Sequence, residues 1–300
     1  MKLRAFLMAF TASFAGVPMT AAVANHHAVT PAAAVDELIA ADRAFAAGAK
    51  DKVLAEGLPP MFDEETVMPS PAGFVKGREA IAAALAANPA NAGAKTSWTP
   101  VRGGISADGK HGFTIGFMDI SAEGKPDRKA KYVSYWIKRP AGWRVAVYKR
   151  APRIDGEISR DLMAPSLPEQ DLKPTGDPAT LAAYKASLDK AERDFSDMAL
   201  KIGIGPAFVQ NGRADATNIG AGPGFTVGND KIGEDVAKFE GPPIKWGPDD
   251  VIVAATGDFG ITWGFIRPVN PPANGPPGGG PYTTIWRRAA PDQPWRYVAE

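Results

Sequence analysis

The sequence predicts an α+β fold built twice, each copy an antiparallel sheet set behind N-terminal helices. Three observations carry this. Landmarks repeat in the same order along the 300-residue chain. Each copy opens on apolar residues at helical spacing, and each closes on a series of strand-like runs separated by turn residues.

The repeat is most visible in HGFTIGF (111–117) and FGITWGF (259–265), and it extends to the ends of both copies. Thr30-Pro31 and Asp177-Pro178 each set a capping side chain before a proline at the first helical position. ADRAF (41–45) answers AERDF (191–195), Gly77-Arg-Glu-Ala-Ile81 answers Gly228-Asn-Asp-Lys-Ile232, and Trp98-Thr-Pro100 answers Trp246-Gly-Pro248. YVSYW (132–136) followed by Trp143-Arg144 answers YTTIW (282–286) followed by Trp295-Arg296. The offsets run from 147 (Thr30 to Asp177) to 152 (Trp143 to Trp295), a period that fits a whole domain rather than a solenoid repeat. The expected division is a signal peptide over 1–24, a first domain over 30–150, a Pro- and charge-rich extended linker over 151–176, and a second domain over 177–300.

Within the first copy, Val35, Leu38, Ile39, Phe45 and Ala46 mark an amphipathic helix, and Leu181, Tyr184, Leu188, Phe195 and Met198 mark its counterpart. A short helix follows over 51–56 and a third over 77–87, stopped at Asn88-Pro89. Strands are expected over 96–104, 113–120, 130–138 and 143–149, with turns at Asp108-Gly109, Glu123-Gly124 and Ala141-Gly142. Alternation puts Phe113, Ile115 and Phe117 on one face, as it does Ile261, Trp263 and Phe265, the pattern of a half-buried strand. Gly116 and Gly264 are read as relieving a bend in the sheet. The second copy differs in three places: its first helix meets Ile202-Gly-Ile-Gly-Pro206 early, NGRADATNIGAGPGFTVGN replaces an acidic segment, and NPPANGPPGGGP (270–281) has the composition of a mobile, lid-like loop. The two interiors are therefore expected to be unequal, first of all where Ile115 has Trp263 as its counterpart.

Lys2 and Arg4 ahead of an apolar stretch and an Ala22-Val23-Ala24 site have the grammar of a secretory signal, so the chain is expected to be periplasmic or secreted, with no membrane attachment after cleavage. Removing Lys2 and Arg4 takes 34 basic residues to 32, against 33 acidic ones, which gives nothing to attract nucleic acid. The absence of cysteine excludes disulfides, thiolate metal sites and a cysteine nucleophile.

Taken together, D-R-x-F in the first helix, the G-R-E-A-I helix start, the W-x-P strand, the G-F strand and the final W-x-x-x-x-x-G-W-R-V hairpin resemble the SnoaL-like branch of the nuclear transport factor 2 superfamily, nearest to a branch of unassigned function. The resemblance covers 31–150 well and 178–300 less well. It implies a cone: a strongly curved sheet wrapped around a long first helix, with a pocket open at one end. Relatives include ketosteroid isomerase, scytalone dehydratase, polyketide cyclases and non-catalytic binders, so the fold leaves function open. Members often dimerise through their sheets, which implies an internal pseudo-dimer or a homodimer here.

Asp42 lies on the apolar face of its helix between Ile39 and Phe45, and Glu192 repeats the placement between Leu188 and Phe195. An inward carboxylate must be hydrogen-bonded or have a raised pKa, and is either structural, bonded to its neighbouring Arg or to a strand Tyr or Trp, or a general acid or base. Acid–base chemistry would pair Asp42 with Tyr132 and Glu192 with Tyr282. Trp98, Trp136, Trp263 and Trp286 are candidates for lining a pocket for a small, partly apolar molecule, or are simply core. His111, beside the Gly109-Lys110 turn, reads as an exposed surface histidine. A mature start of Asn25-His26-His27 would suit Cu(II) or Ni(II), while a terminus whose histidines bind nothing is the simpler reading. No cofactor is expected, since GPPGGGP (275–281) is followed by no helix to receive a phosphate. Three functions follow: binding of a small molecule, cofactor-independent isomerase, cyclase or dehydratase chemistry on a pocket carboxylate, or a non-catalytic interaction module with filled pockets.

Overall fold

A computed structural model describes residues 30–300 apart from 71, 221 and 272–278. The signal segment, the Asn25-His26-His27 start and most of the Pro/Gly loop lie outside the described residues.

The first unit opens on α1 (Pro31–Ala49), capped by Thr30, whose hydroxyl accepts from the Ala33 amide. Short α2 (Leu54–Gly57) and α3 (Arg78–Ala87) follow, with β1 (Phe62–Ser70) and β2 (Gly73–Lys76) between them. Then come β3 (Lys95–Ile105), β4 (His111–Ala122), β5 (Lys125–Arg139) and β6 (Gly142–Pro152). The second unit repeats the order: α4 (Pro178–Ile202), α5 (Ile204–Asn211), β7 (Gly212–Asn218), β8 (Thr226–Val227), α6 (Asn229–Val236), β9 (Ile244–Lys245), β10 (Pro248–Val253), β11 (Phe259–Pro268), β12 (Gly280–Arg287) and β13 (Arg296–Ala299). Asp177 caps α4 through both carboxylate oxygens, to the Ala179 and Thr180 amides.

The two sheets have one strand order, β2-β1-β6-β5-β4-β3 in the first and β8-β7-β13-β12-β11-β10 in the second. This is the α+β class predicted. Two expectations need correction. Neither sheet is wholly antiparallel, because β1 pairs with β6, and β7 with β13, in parallel. The acidic FDEETVMPS run, whose charges hide its alternation, is strand β1. Nor does the second unit's first helix stop early: α4 has 25 residues against 19 in α1, and Gly203, at a φ of +93°, turns the chain into α5.

Each sheet buries both faces. On the inner face, Leu38 and Ile39 of α1 pack with Trp98, Tyr132, Trp136 and Tyr148, and Leu188 and Phe195 of α4 pack with Trp286 and Tyr297. On the outer faces the sheets pack against each other: Phe113, Ile115, Val133, Tyr135 and Val147 of one meet Phe259, Ile261, Trp263 and Ile285 of the other. Phe259 stacks on Phe113 (6.2 Å) and Tyr135 (5.8 Å). The apolar alternation of β4 therefore marks a strand covered on both sides, not a half-buried one, and the Ile115/Trp263 difference lies in this inter-sheet layer rather than in either interior.

Polar clamps rim the layer. Arg287, fully buried, pairs with Asp258 (3.3 Å) and donates to the Ile105 and Ser166 carbonyls across the junction. Arg102 reaches Asp215 (2.7 Å) and Thr217, and Lys131 donates to the Gly222 and Gly224 carbonyls, each at 2.7 Å. Residues 153–177 carry no regular element, yet Met163 and Ser166 donate their amides to Val101 and Gly103, which ties the segment along β3. Phe259→Ala should cost about 3–5 kcal/mol, the range for emptying a buried phenylalanine site, read as a lower urea midpoint at unchanged slope.

Candidate functional site

The repeated Gly-Phe strand places a tyrosine in each interior. Gly116 pairs across the sheet with Tyr132, and Gly264 with Tyr282. A Cβ on Gly116 would stand 2.2 Å from the Thr99 carbonyl oxygen and 2.7 Å from the Tyr132 ring, and one on Gly264 would meet the Gly247 carbonyl and the Tyr282 ring in the same way. These glycines make room for a ring, a stricter demand than relief of a bend.

In the first unit that ring serves Asp42. The carboxylate is fully buried, accepting from Trp98 Nε1 (2.6 Å) and from the Tyr132 hydroxyl (2.8 Å). Burial raises its pKa, with bonds from Thr114, Trp98 and Tyr132 opposing. Trp136 Nε1 donates to Thr114 (2.9 Å). Phe62 and Tyr148, both fully buried with ring centroids 5.3 Å apart, complete the filling. Asp42 and Tyr132 are thus brought together, in a packed interior and with no exposed surface on the acid. The geometry is that of a structural carboxylate fastening helix to sheet.

The second unit keeps the acid and changes its partners. Glu192 is one methylene longer and fully buried, and accepts from Trp246 Nε1 (2.7 Å), Thr262 Oγ1 and Trp286 Nε1 (3.0 Å). Burial raises its pKa too, against bonds from Thr262, Trp286 and Trp246. Tyr282 does not join it, and its hydroxyl is buried without a hydrogen-bond partner among the described residues.

That hydroxyl belongs to the lining of a cavity of about 280 Å3. Ile204 and Phe208 of α5, Ile244, Trp246 and Ile266 supply apolar surface, and Tyr282, Thr284, Asn218 and Glu300 supply polar groups. Lys149 and Ala151 of β6, in the first unit, complete the wall. Register explains why the space exists. Tyr135 pairs with Val147 just before a bulge in the first sheet, and Ile285 pairs with Ala299 just before the same bulge in the second. The next residue inward is Tyr148 in one and Glu300 in the other. Likewise Phe62 sits opposite Val145, where the second sheet has Gly212 opposite Tyr297. The Phe62–Tyr148 plug of the first interior is thus missing from the second, and Tyr297 refills only part of it, leaning over Gly212 with its hydroxyl on the Phe208 carbonyl (3.0 Å).

Two charged groups at the cavity are strongly perturbed. Burial, with Glu192 nearby, lifts the Glu300 carboxyl to about 8 against the opposing pull of Lys149 and an Asn218 bond. Burial lowers Lys149 to about 8, and Glu300 opposes that shift. Neither residue was singled out from sequence, although continuing the Trp143/Trp295 alignment sets Glu300 opposite Tyr148.

The remaining candidates fall elsewhere. Trp98 and Trp286 hold the buried acids, Trp136 is core, and Trp263 lies in the inter-sheet layer and borders a cleft at its edge. Trp246 is the tryptophan on the cavity. His111 is half-buried rather than exposed: it contacts the Tyr135 hydroxyl (3.1 Å), and burial holds its pKa down to about 4. Among the described residues no group of three or more His, Asp or Glu has metal-binding geometry, and no helix is long and apolar enough to cross a membrane.

The fold so described is a tandem of α+β units, each a sheet curled over a helix that carries a buried acid. No protein-family model matches the chain, and no curated protein matches it. The solved structures it is similar to are nuclear transport factor 2-like and ketosteroid isomerase-like proteins, some described as having a cystatin-like fold. One from Novosphingobium aromaticivorans is 21% identical over 41% of this chain and 82% of its own, with a TM-score of 0.33. A ketosteroid isomerase-like protein from Erwinia carotovora is 10% identical over 38% and 92%, with a TM-score of 0.32. One of unknown function from Shewanella oneidensis is 13% identical over 38% and 96%, with a TM-score of 0.33. Each match spans about the length of one unit.

Asp42→Ala strands two buried donors and should destabilise the protein by about 2–4 kcal/mol in urea titrations. A second outcome concerns pH. A carboxyl whose folded pKa is raised binds more protons when folded, so its stabilisation is complete below the unfolded value and is lost as pH rises from there through the folded one. Glu192→Gln should therefore flatten the part of the stability–pH curve that descends above about pH 4.5, the ordinary glutamate value.

Proposed function

We propose that the protein is an exported, tandem SnoaL-like binding protein that takes one small, partly apolar molecule in the cavity of its second unit, the first unit being a filled copy that buttresses it. The observation that supports this most directly is the exchange of the Phe62–Tyr148 plug for Gly212 and Glu300 at equivalent register, with a cavity of about 280 Å3 beside it. The wall is mainly apolar and carries a few convergent polar groups, the usual composition of a small-molecule site. Export rests on the grammar of residues 1–24.

Catalysis is the second reading, and the cavity favours Glu300 with Tyr282 over Asp42 or Glu192. Held near 8, Glu300 stays protonated at neutral pH, so that it and the Tyr282 hydroxyl could both donate to a carbonyl oxygen. Asp42 and Glu192 spend their oxygens on tryptophan, tyrosine and threonine donors and hold helices in place.

Protein purified from its own host and sprayed natively should carry a non-covalent adduct of small mass. Ile204→Trp, which fills the cavity, should abolish it, and Ala55→Trp, outside the cavity, should not. An adduct retained by the Ile204 variant would refute the site.

A further inference from the structure

The polar groups of the cavity are not balanced between donors and acceptors. The Tyr282 hydroxyl is buried without a partner, the Thr283 hydroxyl on the same wall is in the same state, and among the described residues no ion pair or hydrogen bond reaches the Lys149 ammonium. The carboxyl nearest to them, Glu300, is engaged by the Asn218 side-chain amide at 3.2 Å. The second acid of this interior, Glu192, has both oxygens occupied by Trp246, Thr262 and Trp286. A buried donor left unpaired is costly, whereas a donor set completed by an incoming oxygen anion gains charge-assisted bonds. The opposite pole of the cavity is apolar: Ile204, Phe208, Ile244 and Ile266 carry no side-chain group that a polar ligand atom could satisfy.

Resting on the binding role proposed above, we infer that the cavity selects a monocarboxylate with a compact apolar body, its head meeting Lys149, Tyr282 and Thr283 and its body lying against Ile204, Phe208, Ile244 and Trp246. The volume fits the class: about 280 Å3 holds roughly nine or ten heavy atoms if each takes about the 30 Å3 of a liquid water. The charge partner comes from the first unit. Lys149 lies on β6, so the specificity of the second unit's cavity is set by a residue of its neighbour. Nothing in the 150-residue repeat supplies an equivalent, since the position after Glu300 has no counterpart in the second sheet's pairing.

The test is calorimetric titration of the full chain, without residues 1–24, at pH 7 with sodium octanoate, 1-octanol and octylamine, which share one body and differ in the head. Octanoate should bind at least about tenfold tighter than octanol, the scale of one charge-assisted bond, and octylamine most weakly. Lys149→Met should bring octanoate to within about twofold of octanol and leave octanol unchanged, with the thermal melt confirming a folded variant. Tyr282→Phe should weaken octanoate by a smaller factor. Equal binding of octanoate and octanol, or a preference for octylamine, would overturn the head-group assignment and leave the cavity as a binding site. Failure of all three to bind would overturn both. Because the head-group comparison is made on the unmodified protein, the outcome does not depend on the lysine variant folding.

Discussion

The structure depends on a carboxylate turned inward from a helix and gripped by an indole from the sheet. In each unit a tryptophan that opens the sheet, Trp98 or Trp246, donates to the acid of the long helix, Asp42 or Glu192. A buried acid of this kind is affordable only when its oxygens are filled, and the donors that fill it are fixed on strands, so the bond sets the angle at which helix and sheet meet. The length of the acid then decides what else it can hold. Aspartate takes the tyrosine of the neighbouring strand; glutamate reaches past it to Thr262 and Trp286, and the tyrosine is left to the cavity. One methylene thus separates a closed interior from one with an unpaired hydroxyl in its wall.

The outer faces impose the second constraint. Both sheets are apolar on both sides, so neither unit can present its outer face to water without exposing rings such as Phe113 and Phe259. Packing the two together settles that, and the buried Arg287–Asp258 pair with the Arg102–Asp215 pair fixes their register, since an unpaired guanidinium in that layer would carry a heavy desolvation cost.

Much of this was legible in the sequence, and the gaps have physical reasons. Helix starts were visible because Thr30-Pro31 and Asp177-Pro178 are capping chemistry, and the inward acids because Asp42 and Glu192 interrupt apolar spacing. Strand β1 was not visible, because Asp63, Glu64 and Glu65 mask its alternation and it is held by a parallel neighbour that no local signal announces. The double burial of β4 was misread because periodicity distinguishes the two faces of a strand but does not show what covers the polar-looking one; Thr114 and Gly116 face a packed interior rather than water. The cavity residues were missed for a related reason. Lys149 is an unremarkable lysine within its own unit and acquires meaning only from the sheet opposite, and Glu300 stands out only when register sets it against Tyr148.

That Lys149 and Ala151 close a cavity otherwise made by the second unit changes what the duplication means. The two copies are not two cups in series but a cup and its side wall. Cutting the chain between them would yield no smaller binder, and a partner copy brought in from another gene would have to bring a cation to the same place. Selection on the ligand therefore acts on both halves at once, which gives the packed copy a reason to persist after its own interior has closed.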